Sequence, residues 1–544
     1  MWTVLLATVA IAVFSLTISL SWLPNAAELR FQQGVLHDSV WHVALIKEIQ
    51  AGIPTRHPSS FTETITNYHY YYDLLLATTS SATGVAPSLL QYQVFPVLLA
   101  TLLVIGVLFL SMIVTTDQRL ARWLLFFTFF GGNAGFLIPF FLDRTEWGES
   151  TFWVSQTFTM MINPQLILSF SIITVLIGLL ISYLKKNNSA ILPITFLLTM
   201  SLAGTKMYSF IIAGFLLGLV LFWKLLQTRK ISFLVWLGLL AVVSGGLFLR
   251  FTDSSKAGLI YEPLWFINTM VEAPDRLNVI DWKLREENYL ANGGYIRYVL
   301  LKTKEIAIFY GGNLGSRIIC ISLPFLWYFG KRKSVKRSFE SSFIILLFCG
   351  FLFSTSIPLF FIQSGVVWNT IQFWYYGLLF ASLLAGFTVW KGSILLENRP
   401  LLKWLAVAVV VVTTLPAWIR SVPSQIQTSE TIPSEVVAQL NVIKASDKVL
   451  ICPQGKGSAY TYNTSLVRAL GSGEVYFANP VQLELVGLNG YDQDTKYRQE
   501  TKNPTEVAEL IRKHSISIVL CGDADWTSQM ADTVSQSSAR LLSF

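Results

Sequence analysis

Residues 31–73 read FQQGVLHDSVWHVALIKEIQAGIPTRHPSSFTETITNYHYYYD and directly follow the first hydrophobic segment. This stretch holds four of the five histidines of the chain, together with four carboxylates, a tryptophan and a tyrosine cluster. The rest of the first 420 residues is mostly apolar, so we expect chemistry in this polar and titratable loop. The residues in question are His37, Asp38, Trp41, His42, Glu48, His57, Glu63, Tyr68, His69, Tyr70, Tyr71, Tyr72 and Asp73.

The composition is that of a membrane protein with many spans. The chain has 544 residues, of which 53% are hydrophobic and 13% are charged, and its mean hydropathy is +0.54. Soluble proteins carry about 25% charged residues. The net charge of +8 comes mostly from short basic loops between apolar runs, which argues against nucleic acid as a partner.

Apolar runs predict about eleven transmembrane helices, because a helix needs about 20 apolar residues to cross a hydrocarbon core about 30 Å thick. The two runs on either side of Gly204 also fit a broken or re-entrant pair. Residues 68–83 are amphipathic and predict a helix lying at the membrane interface. The predicted spans are 1–23, 90–114, 120–140, 165–184, 190–203, 206–226, 231–250, 307–329, 340–360, 372–390 and 402–419.

The positions of basic residues predict the orientation. With the N-terminus in the cytoplasm, every short basic cluster falls on the cytoplasmic side, as the positive-inside rule requires. The opening loop (24–89), the 141–164 loop, the 251–305 loop and everything after residue 420 then lie outside. This predicts a multi-pass protein of the cytoplasmic membrane. The clusters are Arg119 and Arg122; Lys185 and Lys186; Lys224, Arg229 and Lys230; KRKSVKR (331–337); and Lys391, Arg399 and Lys403.

The composition changes near residue 421, which predicts a transmembrane domain over 1–420 and a small extracytoplasmic α/β domain over 421–544. DKVLICP (447–453) and EVYFA (474–478) are typical of strands, and TEVAELIRKHSISIVLCG (505–522) of a helix followed by a buried strand. The residues after about Trp526 are expected to form a loose tail.

The four cysteines make neither a disulfide framework nor a metal knuckle. Cys320 and Cys349 lie in hydrophobic runs, where buried thiols are expected. Cys452 and Cys521 each end a predicted strand. A disulfide between them and a pair of buried thiols both remain open.

Asp38 and His42 are four residues apart in a segment with helical periodicity, so they share one helix face. A carboxylate there can accept a proton from an attacking hydroxyl or hold a divalent cation such as Mg²⁺ or Mn²⁺. The alternative is that Asp38 caps the helix. The histidine spacings match no compact metal motif, which argues against a histidine-based metal site.

Further candidate residues lie in the other predicted outer regions. Asp143 and Glu146 form either a second acidic site or an ordinary solvated loop. Lys206 and Arg317 lie at membrane depth, where a charge usually faces a cavity or a partner. Both suit a phosphate, Arg317 through bidentate hydrogen bonds, and the alternative for both is snorkelling to the headgroups.

The pattern of one helix, an outer loop with an early Asp, interfacial helices and about ten more spans resembles the GT-C glycosyltransferases. These are membrane enzymes that take sugars from polyprenyl-phosphate or polyprenyl-diphosphate carriers, such as protein O-mannosyltransferases, aminoarabinose transferases and oligosaccharyltransferases. Within this group the chain is most similar to uncharacterised bacterial mannosyltransferase-like membrane proteins. The matching stretches are HDSVWHVALIKEIQAGIP (37–54), NYHYYYDLLLA (67–77), WNTIQFWYYGLLFASLLAG (368–386), GYDQDTKYRQ (490–499) and PTEVAELIRKHSISIVLCG (504–522).

The resemblance implies roles for particular residues. The Asp of the first outer loop is the catalytic or metal-binding carboxylate of the family, which maps onto Asp38. A second acidic residue in the next outer loop maps onto Asp143 or Glu146. The chain departs from the family where His37 precedes Asp38 and where the second loop reads DRTE instead of DxD.

The resemblance therefore predicts a GT-C-type hexosyltransferase with its active site on the outer face of the membrane. A polyprenyl-phosphate sugar enters from the lipid, and the sugar moves to an acceptor hydroxyl whose parent molecule is left open. The substrate-binding residues expected are His37, His42, Tyr68, His69, Lys206 and Arg317. Two alternatives remain: a transporter or flippase for a lipid-linked substrate, and an inactive scaffold of GT-C shape.

Overall fold

The computed structural model is mostly helical. It describes residues 1–22, 28–32, 35–53, 55–65, 68–137, 140, 156–251, 258–273, 276–323, 338–364, 367–452, 464–477, 482–483, 486, 488, 490–521 and 524–543.

In the first 426 residues, the described α-helices are Trp2–Ser19, Val35–Ala51, Tyr71–Thr83, Pro87–Leu89, Phe95–Val114, Gln118–Phe130, Gln156–Ile162, Pro164–Lys186, Ile191–Thr205, Met207–Thr228, Ile231–Phe251, Trp265–Glu272, Ile280–Ala291, Tyr295–Leu314, Ser338–Phe360, Ile371–Leu395 and Pro400–Ile426. A π-helical turn, Leu90–Val94, joins Pro87–Leu89 to Phe95–Val114, and 3₁₀ turns occupy Gly135–Leu137, Gly315–Ser322 and Val367–Thr370. The later helices are Ser434–Asn441, Ser465–Leu470, Gly490–Glu500, Pro504–His514 and Ala524–Ser535.

The strands, in chain order, are β1 (Leu29–Gln32), β2 (Arg56–His57), β3 (Ser60–Thr64), β4 (Leu259–Tyr261), β5 (Phe361–Gln363), β6 (Thr428–Ile432), β7 (Lys448–Ile451), β8 (Glu474–Val475), β9 (Ile518–Cys521) and β10 (Arg540–Ser543).

Eight of the described helices are long and apolar enough to cross a membrane, which supports the prediction of a membrane protein. They are Trp2–Ser19, Pro87–Val114, Pro164–Lys186, Met207–Thr228, Ile231–Arg250, Glu340–Phe360, Val367–Leu395 and Pro400–Ile419.

Three other predicted spans have a different form. The 120–140 run contains the 13-residue helix Gln118–Phe130, and the 190–203 run is the 15-residue helix Ile191–Thr205. In the 307–329 run, helix Tyr295–Leu314 ends and a 3₁₀ turn follows. The count of eleven stays a prediction, since residues 324–337 lie outside the described part.

Helix Pro164–Lys186 shows how local sequence sets the ends of a span. The Asn163 side chain accepts a hydrogen bond from the Leu166 backbone N–H, and Pro164 occupies the first turn, where its missing N–H costs nothing. Lys185 and Lys186 lie in the last turn, where the helix dipole favours positive charge. Asn187 then ends the helix in the left-handed conformation, φ 51°.

The chain folds into two compact units. The first unit comprises Met1–Ser15, Val97–Leu249 and Ala257–Gln425, and the second comprises Leu16–Pro96, Arg250–Lys256 and Ile426–Phe544. The second unit therefore joins the opening loop, which the sequence analysis assigned to the transmembrane domain, to the predicted C-terminal domain.

In the first unit, helix Ile371–Leu395 is buried over most of its length. It packs closely on helix Gln118–Phe130 because Gly386 carries no side chain: a Cβ there would lie 2.8 Å from the Trp123 carbonyl oxygen. At the far end of the same pair of helices, the Trp390 indole N–H donates to an Asp117 carboxylate oxygen over 2.8 Å. The first unit is thus organised around a helix that is covered by its neighbours.

In the second unit, four parallel strands form a sheet in the order β10-β9-β7-β8. β7, β8 and β9 lie within the three stretches that the sequence predicts to contain strands, whereas β10 lies outside them. Helix Pro504–His514 begins at Asn503, whose side chain accepts from the Glu506 N–H, and it ends at Ser515 in the left-handed region. Its buried face, Val507, Leu510 and Ile511, packs into the sheet core.

The expectation of a loose tail after Trp526 is wrong. Residues 524–535 form a helix and β10 pairs with β9 in parallel. Met530 and Val534, four residues apart on one helix face, are 0% and 4% exposed in the sheet core. The polar residues around these two apolar positions hide the amphipathic pattern in the sequence.

The opening segment packs on this sheet within the second unit. β1 pairs antiparallel with β6, so that Leu29 lies opposite Ile432. The hairpin of β2 and β3 approaches β8, where Arg56 forms an ion pair with Glu474. Phe61 packs against Tyr476, with ring centroids 5.3 Å apart.

Cys452 and Cys521 are joined by a disulfide, with their Cα atoms 4.9 Å apart. Cys521 is the last residue of β9 and Cys452 follows β7, and the two strands are neighbours in the sheet. The bridge closes a loop with a sequence separation of 69 residues. Cys320 and Cys349 are free thiols.

We expect the unreduced, unfolded protein to react with maleimide at two cysteines, and at four after reduction. Replacing Cys452 and Cys521 together by Ala should lower the stability of the second unit by about 2–4 kcal/mol, because the bridge restricts the unfolded chain. Mass spectrometry and thermal unfolding in detergent measure the two effects. Four reactive thiols without reduction would contradict the bridge.

Candidate functional site

Asp38 lies in the first turn of helix Val35–Ala51 and is exposed. The helix begins three residues earlier, at Val35, so Asp38 is not the capping residue that the alternative interpretation proposed. A carboxylate in the first turn is still favoured by the helix dipole. His42 follows one turn later on the same face, as the sequence predicts.

His42 is held by a carboxylate from the neighbouring helix Tyr71–Thr83. Its Nδ1 donates a hydrogen bond to Asp73 Oδ1 over 2.8 Å. The His42 side chain is 12% exposed and that of Asp73 is 0% exposed. Because an ionised carboxylate only accepts, the ring hydrogen is on Nδ1, and in the neutral ring the lone pair is on Nε2.

Aromatic side chains surround this pair. Trp41 makes an edge contact with His42 at 5.3 Å and another with Tyr68 at 4.8 Å between ring centroids. Tyr68 stacks on His69 at 4.6 Å. On the other side Tyr72, fully buried, makes an edge contact with His42. The structure thus brings together His42, Tyr68 and His69, which were predicted from the sequence as substrate-binding residues.

The following turn of the helix Val35–Ala51 is fixed by charges from the C-terminal part of the unit. Arg468 forms an ion pair with Glu48 at 2.6 Å, and each side chain is 8% exposed. Burial raises the pKa of Glu48, and the Arg468 guanidinium offsets part of this rise. The Lys47 ammonium donates to the Gly471 carbonyl over 2.7 Å, and burial together with Arg468 lowers the pKa of Lys47 to about 8.

His57 belongs to a buried polar cluster at the hairpin of β2 and β3. Its Nδ1 accepts a hydrogen bond from the Ser59 N–H, and its Nε2 donates to the Gln482 carbonyl over 3.3 Å. The Gln482 side-chain oxygen accepts hydrogen bonds from Ser59 and Ser465. Burial lowers the pKa of His57 to about 4. The neutral imidazole therefore fastens the opening segment to the C-terminal part of the unit.

Three predicted residues fall outside what the structure describes. Asp143 and Glu146 lie in residues 141–155, which are outside the described residues. The side chain of His37 is also outside the described part of the chain. Their predicted roles stay predictions.

Arg317 lies in the first unit, in the 3₁₀ turn Gly315–Ser322, and is 2% exposed. Its guanidinium donates to Ser382 Oγ over 2.8 Å, to Gln156 Oε1 over 2.7 Å and to the Gly131 carbonyl. A Cβ on Gly131 would meet Arg317 Nε at 2.7 Å. Arg317 thus ties three helical segments together, and binding a phosphate would require it to exchange these partners.

Lys206 separates the helices Ile191–Thr205 and Met207–Thr228, with an extended backbone at φ −160°. It is 6% exposed. The interruption lies two residues after Gly204, in the short segment where the sequence leaves a broken pair open. A buried cation at a helix break is consistent with its predicted role in anion binding and does not test it.

One group of carboxylates in the described residues has the spacing of metal ligands. One oxygen each from Glu272, Glu286 and Glu305 lies within 4.8 Å of the others. Lys302 donates to Glu286 over 2.5 Å and to Glu305 over 3.0 Å, so an ammonium already neutralises part of this charge. Burial raises the pKa of Glu272 and Glu305. The oxygen donors suit Mg²⁺, but Asp38, which the resemblance implies as a catalytic or metal-binding carboxylate, is not among them.

Asp73 is the site residue that sequence reasoning missed. Thirty-one residues separate it from His42, so no local spacing connects the two. A signal existed in its own helix: Asp73, Leu76, Ala77 and Ser80 form the buried face. An Asp on an otherwise small and apolar helix face needs a partner, because a buried unpaired carboxylate is costly.

Comparison with known proteins gives a limited result. No protein-family model and no curated protein matches the chain. Two solved structures that match are crystal structures of the Archaeoglobus fulgidus oligosaccharyltransferase, one in complex with Zn and sulfate and one in the apo form. Identity is 13% and 12%, and the TM-score is 0.49 for both.

The match covers 88% of this chain and 62% and 65% of the two oligosaccharyltransferase chains. This chain therefore spans less than two thirds of their length. At this TM-score the likeness supports no further conclusion about fold or function.

The buried His57 predicts a stability that depends on pH. Its pKa is about 4 in the folded chain against 6.5 for an exposed ring, so the unfolded chain takes up a proton first. The contribution of His57 to the free energy of unfolding is fully present above about pH 6.5. It is lost as the pH drops toward 4, which lowers that free energy by about 3 kcal/mol in total. Denaturant unfolding of the wild-type protein and of His57→Gln across this range measures the difference. Identical pH profiles would contradict the assignment.

Arg317 predicts a loss of stability that needs no substrate. Arg317→Met should lower the free energy of unfolding by at least about 2 kcal/mol, because Gln156 and the Gly131 carbonyl lose a charged donor. Thermal unfolding in detergent without any lipid-linked sugar measures this. The control is Arg285→Met at an exposed position. An unchanged melting temperature for Arg317→Met would show that the three hydrogen bonds do not stabilise the folded protein.

Proposed function

We propose that this protein is a GT-C-type membrane glycosyltransferase that moves a sugar from a polyprenyl phosphate to an acceptor hydroxyl on the outer face of the cytoplasmic membrane. The observation that carries the proposal is that Asp38 and His42 lie one turn apart on helix Val35–Ala51, which follows the first candidate span. Asp38 is exposed in the first turn, and His42, one turn later, is held by the buried Asp73. The resemblance of residues 37–54 and 67–77 to GT-C proteins covers the same groups.

The reaction needs a proton acceptor beside the acceptor hydroxyl. The hydroxyl oxygen forms a bond to the anomeric carbon, while the bond from that carbon to the phosphate oxygen breaks and its electron pair stays on the phosphate. Asp38 takes the hydroxyl proton, and the single displacement inverts the anomeric carbon. Tyr68 and His69 offer a stacked aromatic surface of the kind that packs against the apolar face of a sugar ring.

The disulfide supports the outer face as the place of action. Disulfides persist in oxidising compartments and are rare in the cytosol. Cys452 and Cys521 belong to the same compact unit as Asp38 and His42. A lipid-linked donor fits this location, because the sugar is already activated and no nucleotide is needed.

The remaining predicted residues supply the second carboxylate and a ligand for the donor phosphate. In this proposal Asp143 or Glu146 is the second carboxylate. Lys206 is favoured over Arg317 as a ligand of the donor phosphate. The reason is that the Arg317 guanidinium already donates hydrogen bonds to Gly131, Gln156 and Ser382. If the reaction instead uses a divalent cation, Mg²⁺ or Mn²⁺, Asp38 would hold the cation rather than accept the hydroxyl proton, and the cation would draw electrons from the leaving phosphate.

We expect Asp38→Asn to lower sugar transfer at least about a hundredfold, because the amide cannot accept the hydroxyl proton. The assay uses the protein in liposomes, a panel of polyprenyl-phosphate sugars labelled in the sugar, and cell-envelope extract from cells lacking this protein as the acceptor. Transfer is counted as label that leaves the lipid fraction. Activity that survives EDTA would assign Asp38 as a base, and activity restored by Mn²⁺ or Mg²⁺ would assign it as a metal ligand.

The matched control is Asp281→Asn, which changes an exposed Asp in the first turn of another helix and should keep the wild-type rate. The proposed function fails if wild-type protein moves no sugar from any donor in the panel. It also fails if Asp38→Asn transfers sugar at the wild-type rate.

A further inference from the structure

The pair His42 and Asp73 has the arrangement of an oriented base, which the proposed reaction so far does not use. The contact between Nδ1 and Oδ1 is 2.8 Å, within the range of a charge-assisted hydrogen bond. Asp73 is completely buried, whereas His42 keeps 12% of its side chain exposed. The carboxylate is therefore shielded from water, whereas the ring is partly accessible.

The surroundings of the pair restrict the ring to one orientation. Trp41 makes an edge contact with it at 5.3 Å and Tyr72 another at 6.2 Å between centroids. The Tyr72 hydroxyl is itself fixed by a hydrogen bond to Gln91 Oε1 over 2.8 Å. With Nδ1 on Asp73, the lone pair of the neutral ring stays on Nε2. A ring that is fixed in this way, with one nitrogen on a carboxylate, has the orientation that a general base needs.

His42 is one helical turn from Asp38, and groups four residues apart on a helix have Cβ atoms about 5–6 Å apart. The His42 ring therefore lies next to the carboxylate at which, in the proposed reaction, the acceptor hydroxyl loses its proton. The buried Asp73 then stabilises the imidazolium that forms.

We infer that the His42–Asp73 pair is the proton store of the proposed transfer reaction. The proton that leaves the acceptor hydroxyl comes to rest on Nε2 of His42. Asp73 is a positioning residue that holds the ring through Nδ1 and compensates its positive charge. The proton leaves His42 for the released lipid phosphate, so that both side chains return to their starting state. This inference rests on the proposed function.

The test is chemical rescue of His42→Ala with free imidazole in the same liposome assay, using whichever labelled polyprenyl-phosphate sugar the wild-type protein accepts. His42→Ala should lower kcat about a hundredfold, the lower end of what general bases contribute, with little change in KM. Imidazole should restore a dose-dependent part of kcat, since it can occupy the vacated space and bond Asp73. The double variant His42→Ala with Asp73→Asn should show no rescue.

Asp73→Asn alone should lower kcat about as much as His42→Ala does, and the two losses should not add, because both variants remove one unit. Thermal unfolding is measured for each variant. If Asp73→Asn does not fold, the rescue of His42→Ala decides alone. His514→Ala is the control for loss of a histidine in the same unit, and imidazole should leave its rate unchanged.

Two results would overturn the inference and leave the proposed function standing: His42→Ala at the wild-type rate while Asp38→Asn is inactive, or a folded His42→Ala protein that imidazole does not rescue. Wild-type protein without transfer would instead refute the proposed function. Rescue that persists with Asp73→Asn would retain His42 as the proton store and remove Asp73 as its positioning residue.

Discussion

Arg468 pairs with Glu48 at 2.6 Å, and both side chains are 8% exposed. Removing two charges from water is costly and is repaid only when the geometry is good and further polar groups join. Here Lys47 adds hydrogen bonds to the carbonyls of Leu470 and Gly471. These contacts fix the helix Val35–Ala51 on the C-terminal part of the second unit. Asp38 and His42 of the candidate site lie on the same helix, so their placement depends on this ion pair.

The second unit combines two ways of holding a distant segment. β1 pairs with β6, so backbone hydrogen bonds join residues about 400 positions apart. Ser59, Ser465 and Gln482 then form side-chain hydrogen bonds beneath the hairpin, beside the neutral His57. Buried polar groups of this kind are stable only when they are paired. The opening segment is therefore fastened to the sheet by specific polar contacts as well as by apolar packing.

In the first unit, a single charged side chain has a comparable role. Arg317 bonds Gly131, Gln156 and Ser382, which come from segments far apart in sequence. Close approach of the backbones makes this possible: Gly315 has φ +52°, and a Cβ on it would lie 2.1 Å from the Gly132 carbonyl oxygen. The sequence correctly marks Arg317 as exceptional, since a charge at membrane depth needs a partner. Within the described residues, the hydrogen-bond partners of Arg317 are the Ser382 hydroxyl, the Gly131 carbonyl and the Gln156 side chain.

The sequence by itself determined the features that depend on neighbouring residues. Long apolar runs predict the candidate spans because bilayer thickness sets their length. Asn163 and Pro164 mark the start of one of them, and the short apolar runs around Val449 and Ile518 mark strands. The helix carrying Asp38 and His42 follows from its periodicity. Only the tertiary structure decided that Asp73 meets His42, that Glu48 meets Arg468, and that the last residues add a strand to the sheet. The reason is that these contacts join segments 22 to more than 400 residues apart, and local periodicity carries no information about which distant group completes a buried pair or which strand pairs with which.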